Sequence, residues 1–139
     1  MEAIPLGDEV SDYLVTATIS GMLPSLKNQR RIVTNRRTGK PMSIKSQPAM
    51  DYAANFNHQL PKAARINYDG PVSLRCRVWY PSRRNDLDIE YLCDLLQLCG
   101  VLKNDRSIFH KESWKGLDRQ YPRIHFTITP YTGGEDATT

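Results

Sequence analysis

The sequence predicts a mixed α/β or α+β domain in which one β-sheet carries helices on one side. Residues 72–80 (VSLRCRVWY) and 123–129 (RIHFTIT) alternate between apolar and polar side chains, as strands with one buried face do. Two other stretches, 47–60 and a segment that ends at Gly100, carry residues typical of helix termini at their ends. Strands and helices that are mixed along one short chain indicate a single layered domain.

The predicted elements follow one another as strand, hairpin, helix, strand, helix, strand and strand. The first strand covers residues 13–20 (YLVTATIS), where β-branched residues alternate with others. A hairpin is predicted from 31–34 and 42–45, because Asn35 and Gly39 between these strands suit a tight turn. The order of the strands within the sheet stays open at this point.

The first helix is predicted over residues 47–60, since Ser46 can cap its first turn and Pro48 suits that turn. The strand over 72–80 follows, with apolar residues on one face and basic residues on the other. Basic residues on the second face indicate that this face is not entirely core.

The second helix is predicted to begin near Asp86 or Asp88 and to end at Gly100, which suits the C-terminal end of a helix. Residues 106–115 and 121–129 are predicted as the last two strands.

The length of 139 residues fits one domain with its own core. We expect residues 1–12 to be a flexible leader, 13–130 the folded domain and 131–139 a flexible tail. Apolar runs of only a few residues exclude a transmembrane helix, and acidic residues near the N-terminus argue against a signal peptide. The expected location is therefore cytoplasmic, with no membrane partner.

The three cysteines, Cys76, Cys93 and Cys99, include no CxxC pair and are expected to be reduced thiols. The histidines share no ligand spacing with them, so the sequence predicts no zinc site.

The net charge is +4, and the basic residues are unevenly distributed. Residues 27–45 contain seven lysines and arginines and no acid. Such a block favours a polyanionic partner, most often nucleic acid, although a solvated loop has the same composition.

Carboxylates concentrate where the second helix begins. In an extended chain Asp86 and Asp88 face the same side, whereas in a helix Asp86, Glu90 and Asp94 form one stripe. Asp105 follows the far end of the helix.

Carboxylates that lie close together repel one another unless a cation compensates their charge. Mg²⁺ suits this role, because it binds few protein carboxylates and keeps water and substrate phosphate as its other ligands. Acids at a metal, surrounded by arginines and lysines, are typical of nucleases. The alternative is helix capping by Asp88 or Asp86 with Glu90 in the first turn, which contributes about 1–2 kcal/mol without a metal.

Several short motifs occur in a fixed order among these elements. They are PSLKN (24–28), RRNDLD (83–88), Asp94-Leu95-Leu96, Gly100-Val101 and Asn104-Asp105. This ordered set resembles the RusA family of Holliday junction resolvases, found in bacteria and often encoded by phages or prophages. The resemblance covers roughly residues 15–129.

The resemblance implies a small homodimeric endonuclease that uses Mg²⁺, or Mn²⁺ in its place, and resolves four-way or branched DNA by paired nicks in recombination and repair. The family's essential aspartates fall on Asp86, Asp88 and Asp105, which would be catalytic metal ligands. Glu90 is a candidate additional metal ligand, and Asp94 is expected to have a structural role. The location implied is the cytoplasm of a bacterial or phage-infected cell.

The chain departs from the family pattern on the second helix. Ile89 stands where the family has asparagine, Leu92 stands where it has lysine, and Asn104 replaces the first acid of an acidic pair. We expect Lys27 or Lys103 to supply the missing positive charge.

The predicted DNA-binding residues are basic or amide side chains that would contact the phosphate backbone. They are Lys27, Asn28, Arg30, Arg31, Arg36, Arg37, Lys40, Lys45, Arg83, Arg84 and Lys103. Two other functions remain open: a non-catalytic protein that binds DNA junctions or single strands, and an RNase.

Overall fold

The computed structural model describes residues 13–25, 30–34 and 37–133, with the backbone alone for 30–34 and 41–45. The predicted leader and most of the predicted tail therefore lie outside the described residues. The strands are β1 Val15–Ser20, β2 Arg30–Thr34, β3 Pro41–Lys45, β4 Val72–Tyr80, β5 Ile108–Leu117 and β6 Arg123–Pro130, and the helices are α1 Gln47–Gln59 and α2 Glu90–Leu98.

Four strands form one mixed sheet in the order β1-β6-β4-β5. Strand β6 pairs antiparallel with both β1 and β4, whereas β4 and β5 are parallel and are connected through α2. The predicted hairpin forms as a separate two-stranded sheet, β2-β3, with Arg30 opposite Lys45. The predicted fold class, one mixed sheet with two main helices, is thereby confirmed.

The core lies between one face of the four-stranded sheet and the two helices. The apolar side of β4, including Leu74, is fully buried, and so is Phe126 on β6. Phe56 of α1 stacks on Phe126 with ring centroids 6.2 Å apart. The hydroxyl of Tyr91 in α2 donates a 2.7 Å hydrogen bond to the carbonyl of Ala49 in α1, which links the helices to each other.

Trp79 is buried on the opposite face of the sheet from the main core. Its ring lies against Gly116 of the neighbouring strand, where an added Cβ would come within 2.6 Å of the ring. The guanidinium of Arg123 lies 4.0 Å from the ring centroid. This glycine and this arginine allow a large aromatic side chain to be buried outside the main core.

The ends of α1 agree closely with the prediction. The Ser46 hydroxyl accepts a hydrogen bond from the amide of Ala49 at 3.4 Å, and Pro48 lies in the first turn. The helix ends at Gln59, one residue before the predicted boundary.

The predicted start of α2 near Asp86 or Asp88 is wrong, because the helix begins at Glu90. The backbone amides in the first turn of a helix have no partner within the helix. The Asp88 carboxylate, which precedes α2, accepts a hydrogen bond from one of them, the Glu90 amide. At the other end Gly100 has φ +84°, and the amide of Val101 donates to the carbonyl of Leu96 at 2.9 Å. This closing turn confirms the predicted role of Gly100.

Strand β5 also begins later than predicted, at Ile108. Residues Asp105–Ser107 form a 3-10 turn, in which the Asn104 side chain accepts a hydrogen bond from the amide of Arg106 at 2.9 Å. Asp105 therefore lies in a capped turn between α2 and β5.

Both helices are short compared with the thickness of a bilayer. Helix α1 has 13 residues and α2 has 9, whereas a membrane-spanning helix needs about 20. Within the described part of the chain, no helix is long and apolar enough to cross a membrane.

Candidate active site

Asp88 joins two distant chain segments in front of α2. Its Oδ2 accepts a 2.8 Å hydrogen bond from the hydroxyl of Ser25, which follows β1. Its Oδ1 accepts from the amide of Glu90 at 3.0 Å, and its own amide donates to the Tyr80 hydroxyl at 3.3 Å. The carboxylate is therefore held by two donors, from Ser25 and Glu90, and the Asp88 backbone is held separately by the Tyr80 hydroxyl.

Asp86 and Tyr80 line a small cavity together. The volume is about 130 Å³, and Ser25 and Arg84 are among the lining residues. Burial raises the pKa of the Tyr80 hydroxyl. The hydrogen bond from the Asp88 amide lowers this pKa, and the carboxylates of Asp88 and Asp86 raise it. The hydroxyl therefore stays protonated at neutral pH.

Lys115 of β5 anchors the loop that carries Asp86. Its ammonium group donates hydrogen bonds to the carbonyl of Arg83, at 2.9 Å, and to the carbonyl of Asn85. The same ammonium lies 5.9 Å from the centroid of the Tyr80 ring. In the sequence Lys115 is one of several charged residues in a predicted strand, and its neighbours give no indication that it contacts the loop.

Replacing Lys115 by methionine is expected to loosen this loop, because two carbonyls lose their charged donor. Amide hydrogen exchange should accelerate on the order of tenfold at residues 83–86, with little change in α1. Lys115→Arg should preserve much of the protection, and Lys62→Met serves as a control for the loss of one exposed positive charge. Unchanged exchange in Lys115→Met would show that the contacts do not hold the loop.

A second cavity, the acidic cavity, lies beside α2 and has a volume of about 260 Å³. It is lined by Glu90, Cys93, Asp94, Asp105, Ile108 and Lys111. Glu90 and Asp94 are one helical turn apart and share a face of α2. The amide of Asp105 donates to the side-chain oxygen of Gln97 at 3.0 Å, which ties the turn after α2 back to the helix.

Cys93 forms part of the wall of the acidic cavity. Burial raises the pKa of its thiol to about 11, Lys111 lowers it, and the carboxylates of Asp105, Asp94 and Glu90 raise it. The thiol is therefore neutral near pH 7 and is not activated as a nucleophile.

Three arginines line a third cavity, the arginine groove, of about 390 Å³. Arg83 and Arg84 were predicted to contact phosphate, and the structure adds Arg119 from the turn after β5. Arg84 also lines the cavity that contains Asp86, so the groove adjoins the carboxylates. The sequence did not indicate Arg119, because it lies 35 positions after Arg84.

The other predicted DNA-binding residues lie in several places. The ammonium of Lys103 is 3.6 Å from the Asp69 carboxylate, and both side chains are largely exposed. Arg37 and Lys40 are exposed beside the turn between β2 and β3. Lys27, Asn28 and Arg36 lie outside the described residues, and only the backbone is described for Arg30, Arg31 and Lys45.

The carboxylates divide between the two cavities. Asp105, Glu90 and Asp94 line the acidic cavity, Asp86 lines the other cavity, and Asp88 contacts the Glu90 amide. Within residues 13–25, 30–34 and 37–133, no three histidine, cysteine, aspartate or glutamate side chains form a group that could hold a metal ion.

Two of these carboxylates nevertheless suit Mg²⁺, which needs only one or two protein carboxylates besides water and phosphate. The carboxylates of Glu90 and Asp105 make no hydrogen bond or ion pair with any other described residue. Their hard oxygen atoms face a common cavity. Leu92, the residue in place of the family lysine, is fully buried and does not reach this cavity.

Comparison with protein-family models gives no match for the chain, and comparison with curated proteins gives no match either. In the structure, two of the ordered motifs, PSLKN and RRNDLD, are joined by the hydrogen bond from the Ser25 hydroxyl to the Asp88 carboxylate.

Proposed function

We propose that this chain is a Mg²⁺-dependent, structure-selective DNA endonuclease of the RusA type, for which Mn²⁺ can replace Mg²⁺. It would resolve four-way or branched DNA by paired nicks, in the cytoplasm of a bacterial or phage-infected cell. One observation carries the proposal: the carboxylates of Glu90 and Asp105, which bond to no other described residue, share a cavity close to Asp88, while Asp86 adjoins a groove of three arginines. Oxygen ligands beside phosphate-binding cations are what phosphodiester hydrolysis requires.

Each side chain has a distinct role in this proposal. Glu90 and Asp105 would hold Mg²⁺ in the acidic cavity, and the ion when bound would activate water and neutralise charge on the reacting phosphate. The Asp88 carboxylate would add its negative charge beside Glu90. Asp86 lines the other cavity and would not bind the same ion. The hydrogen bonds from Ser25 and from the Glu90 amide orient the Asp88 carboxylate.

The arginine groove would hold the DNA strand by its phosphates. Arg83, Arg84 and Arg119 contribute charges that do not depend on base sequence. The basic residues of the β2-β3 hairpin would extend this contact along the DNA backbone, so binding should weaken steeply with salt.

Paired nicks require two active sites in a fixed relation. A homodimer with two-fold symmetry supplies them, and its symmetry matches that of a four-way junction. We therefore propose that two copies of this chain act on opposing strands of one junction.

The test is incubation of the purified chain with labelled four-way junction, linear duplex and single-stranded RNA, with and without Mg²⁺. Symmetrical nicks in the junction that require Mg²⁺ would support the proposal. Because no three-ligand group lies within the described residues, a non-catalytic junction-binding protein is the second candidate. Junction binding without cleavage under Mg²⁺ or Mn²⁺ would favour that candidate, and preferential RNA cleavage would contradict both.

A further inference from the structure

Lys111 lies on the edge strand of the sheet but faces the helices. In the parallel pairing of β4 with β5 it is opposite Leu74, which is fully buried under the helices. Side chains directly opposite each other in neighbouring strands lie on the same face. The side chain of Lys111 therefore extends toward α2 and lines the acidic cavity.

Lys111 is the one cationic residue among the six that line the acidic cavity. The positive charge of Lys111 acts on Cys93 in the wall of that cavity. It lowers the pKa of the Cys93 thiol, whereas the three carboxylates of the cavity raise it. The positive charge thus acts within the same small volume as Glu90, Asp94 and Asp105.

The ammonium of Lys111 makes no hydrogen bond or ion pair with any other described residue. Two other lysines differ in this respect: Lys115 donates hydrogen bonds to two carbonyls, and Lys103 pairs with Asp69. Lys111 thus remains available to a group that enters the cavity.

We propose that Lys111 binds the scissile phosphodiester in the acidic cavity and is a catalytic residue of this site. The inference rests on the proposed nuclease function and assigns the cationic role to β5 instead of to Lys27 or Lys103. A lysine at this place complements the carboxylates: they hold the metal, and the ammonium contacts a non-bridging phosphate oxygen as charge develops there.

The first measurement is DNA affinity in the presence of Mg²⁺, made in the Asp88→Asn background so that the junction stays intact. The slope of log affinity against log salt counts phosphate contacts, at about 0.9 per contact. Adding Lys111→Met should reduce the slope by about 1, and adding Lys111→Arg should leave it near the parent value. Lys62→Met controls for the loss of one charge, since Lys62 lines none of the three cavities.

The second measurement is single-turnover cleavage in the otherwise unchanged chain. Lys111→Met should cleave about 100-fold more slowly and Lys111→Arg should recover part of the rate, as expected for a lost transition-state contact. Thermal melting of each variant checks that the fold is retained.

An unchanged salt slope in Lys111→Met overturns the inference, whatever the cleavage rate. If the unchanged chain binds junctions and does not cleave them, the nuclease proposal fails, while the salt slope still decides whether Lys111 contacts phosphate. If it binds no DNA, both proposals fail.

Discussion

Asp88→Asn is expected to lower the rate of Mg²⁺-dependent junction cleavage by at least about 100-fold while the chain stays folded. The substitution removes the negative charge and keeps the shape. The amide oxygen can still accept from the Glu90 amide, and the amide nitrogen can donate to the Ser25 hydroxyl, which replaces the two present hydrogen bonds. The expected stability cost is only about 1 kcal/mol.

Single-turnover cleavage of a labelled junction measures the effect, and a urea titration measures the stability. Asp51→Asn is the matched control, because Asp51 is an exposed aspartate of α1 that accepts a hydrogen bond from Gln47. The control should cleave at the normal rate. Full activity in Asp88→Asn would remove Asp88 from the catalytic set, and equal losses in both variants would indicate a general effect of charge.

Phe56→Ala is expected to have the largest effect on stability. Phe56 is fully buried, stacks on Phe126 of the sheet and lies 6.3 Å from the ring of Tyr52. Truncation removes the contact between α1 and β6 and leaves a cavity, which typically costs about 3–5 kcal/mol. Native domains have only about 5–15 kcal/mol of stability, so this loss would bring the protein close to unfolding.

The measurement is urea-induced unfolding at 25 °C, with thermal melting as a second probe. The midpoint urea concentration should fall with little change in slope, and the melting temperature should fall by about 10 °C. Met50→Ala on the exposed side of the same helix is the control and should shift stability by no more than about 0.5 kcal/mol. A small effect of Phe56→Ala would mean that α1 contributes little to the core.

Local patterns were enough to predict the elements of the fold. The alternation within VSLRCRVWY and RIHFTIT reflects one buried face, and the structure has strands at both places. Ser46 caps the start of α1 and Gly100 closes the end of α2. The hydrogen bonds at both places join residues only three to five positions apart. The start of α2 was missed, because it depends on contacts from distant segments. Ser25 holds the Asp88 carboxylate, and the Tyr80 hydroxyl holds the Asp88 backbone amide.

The candidate site was only partly predictable. The sequence placed Asp86 and Asp88 together because they are two residues apart, and the resemblance added Asp105. That Asp105 shares a cavity with Glu90 depends on the turn after α2, which is bonded to Gln97. Arg119 lines the same cavity as Arg84 because the paired strands β4 and β5 end side by side, and no local pattern in the sequence indicates this.

The sequence by itself determined which segments become strands and helices, which faces are apolar and where the acids concentrate, because these properties depend on neighbours within a few positions. Only the tertiary structure decided that β5 lies parallel beside β4, and therefore that Lys111 and Lys115 lie near the carboxylates and the loop of the candidate site. The two-residue period of a strand shows on which face of the sheet each side chain lies, but it does not show which strand is the neighbour. That pairing depends on contacts between residues more than 30 positions apart, such as Leu74 and Lys111.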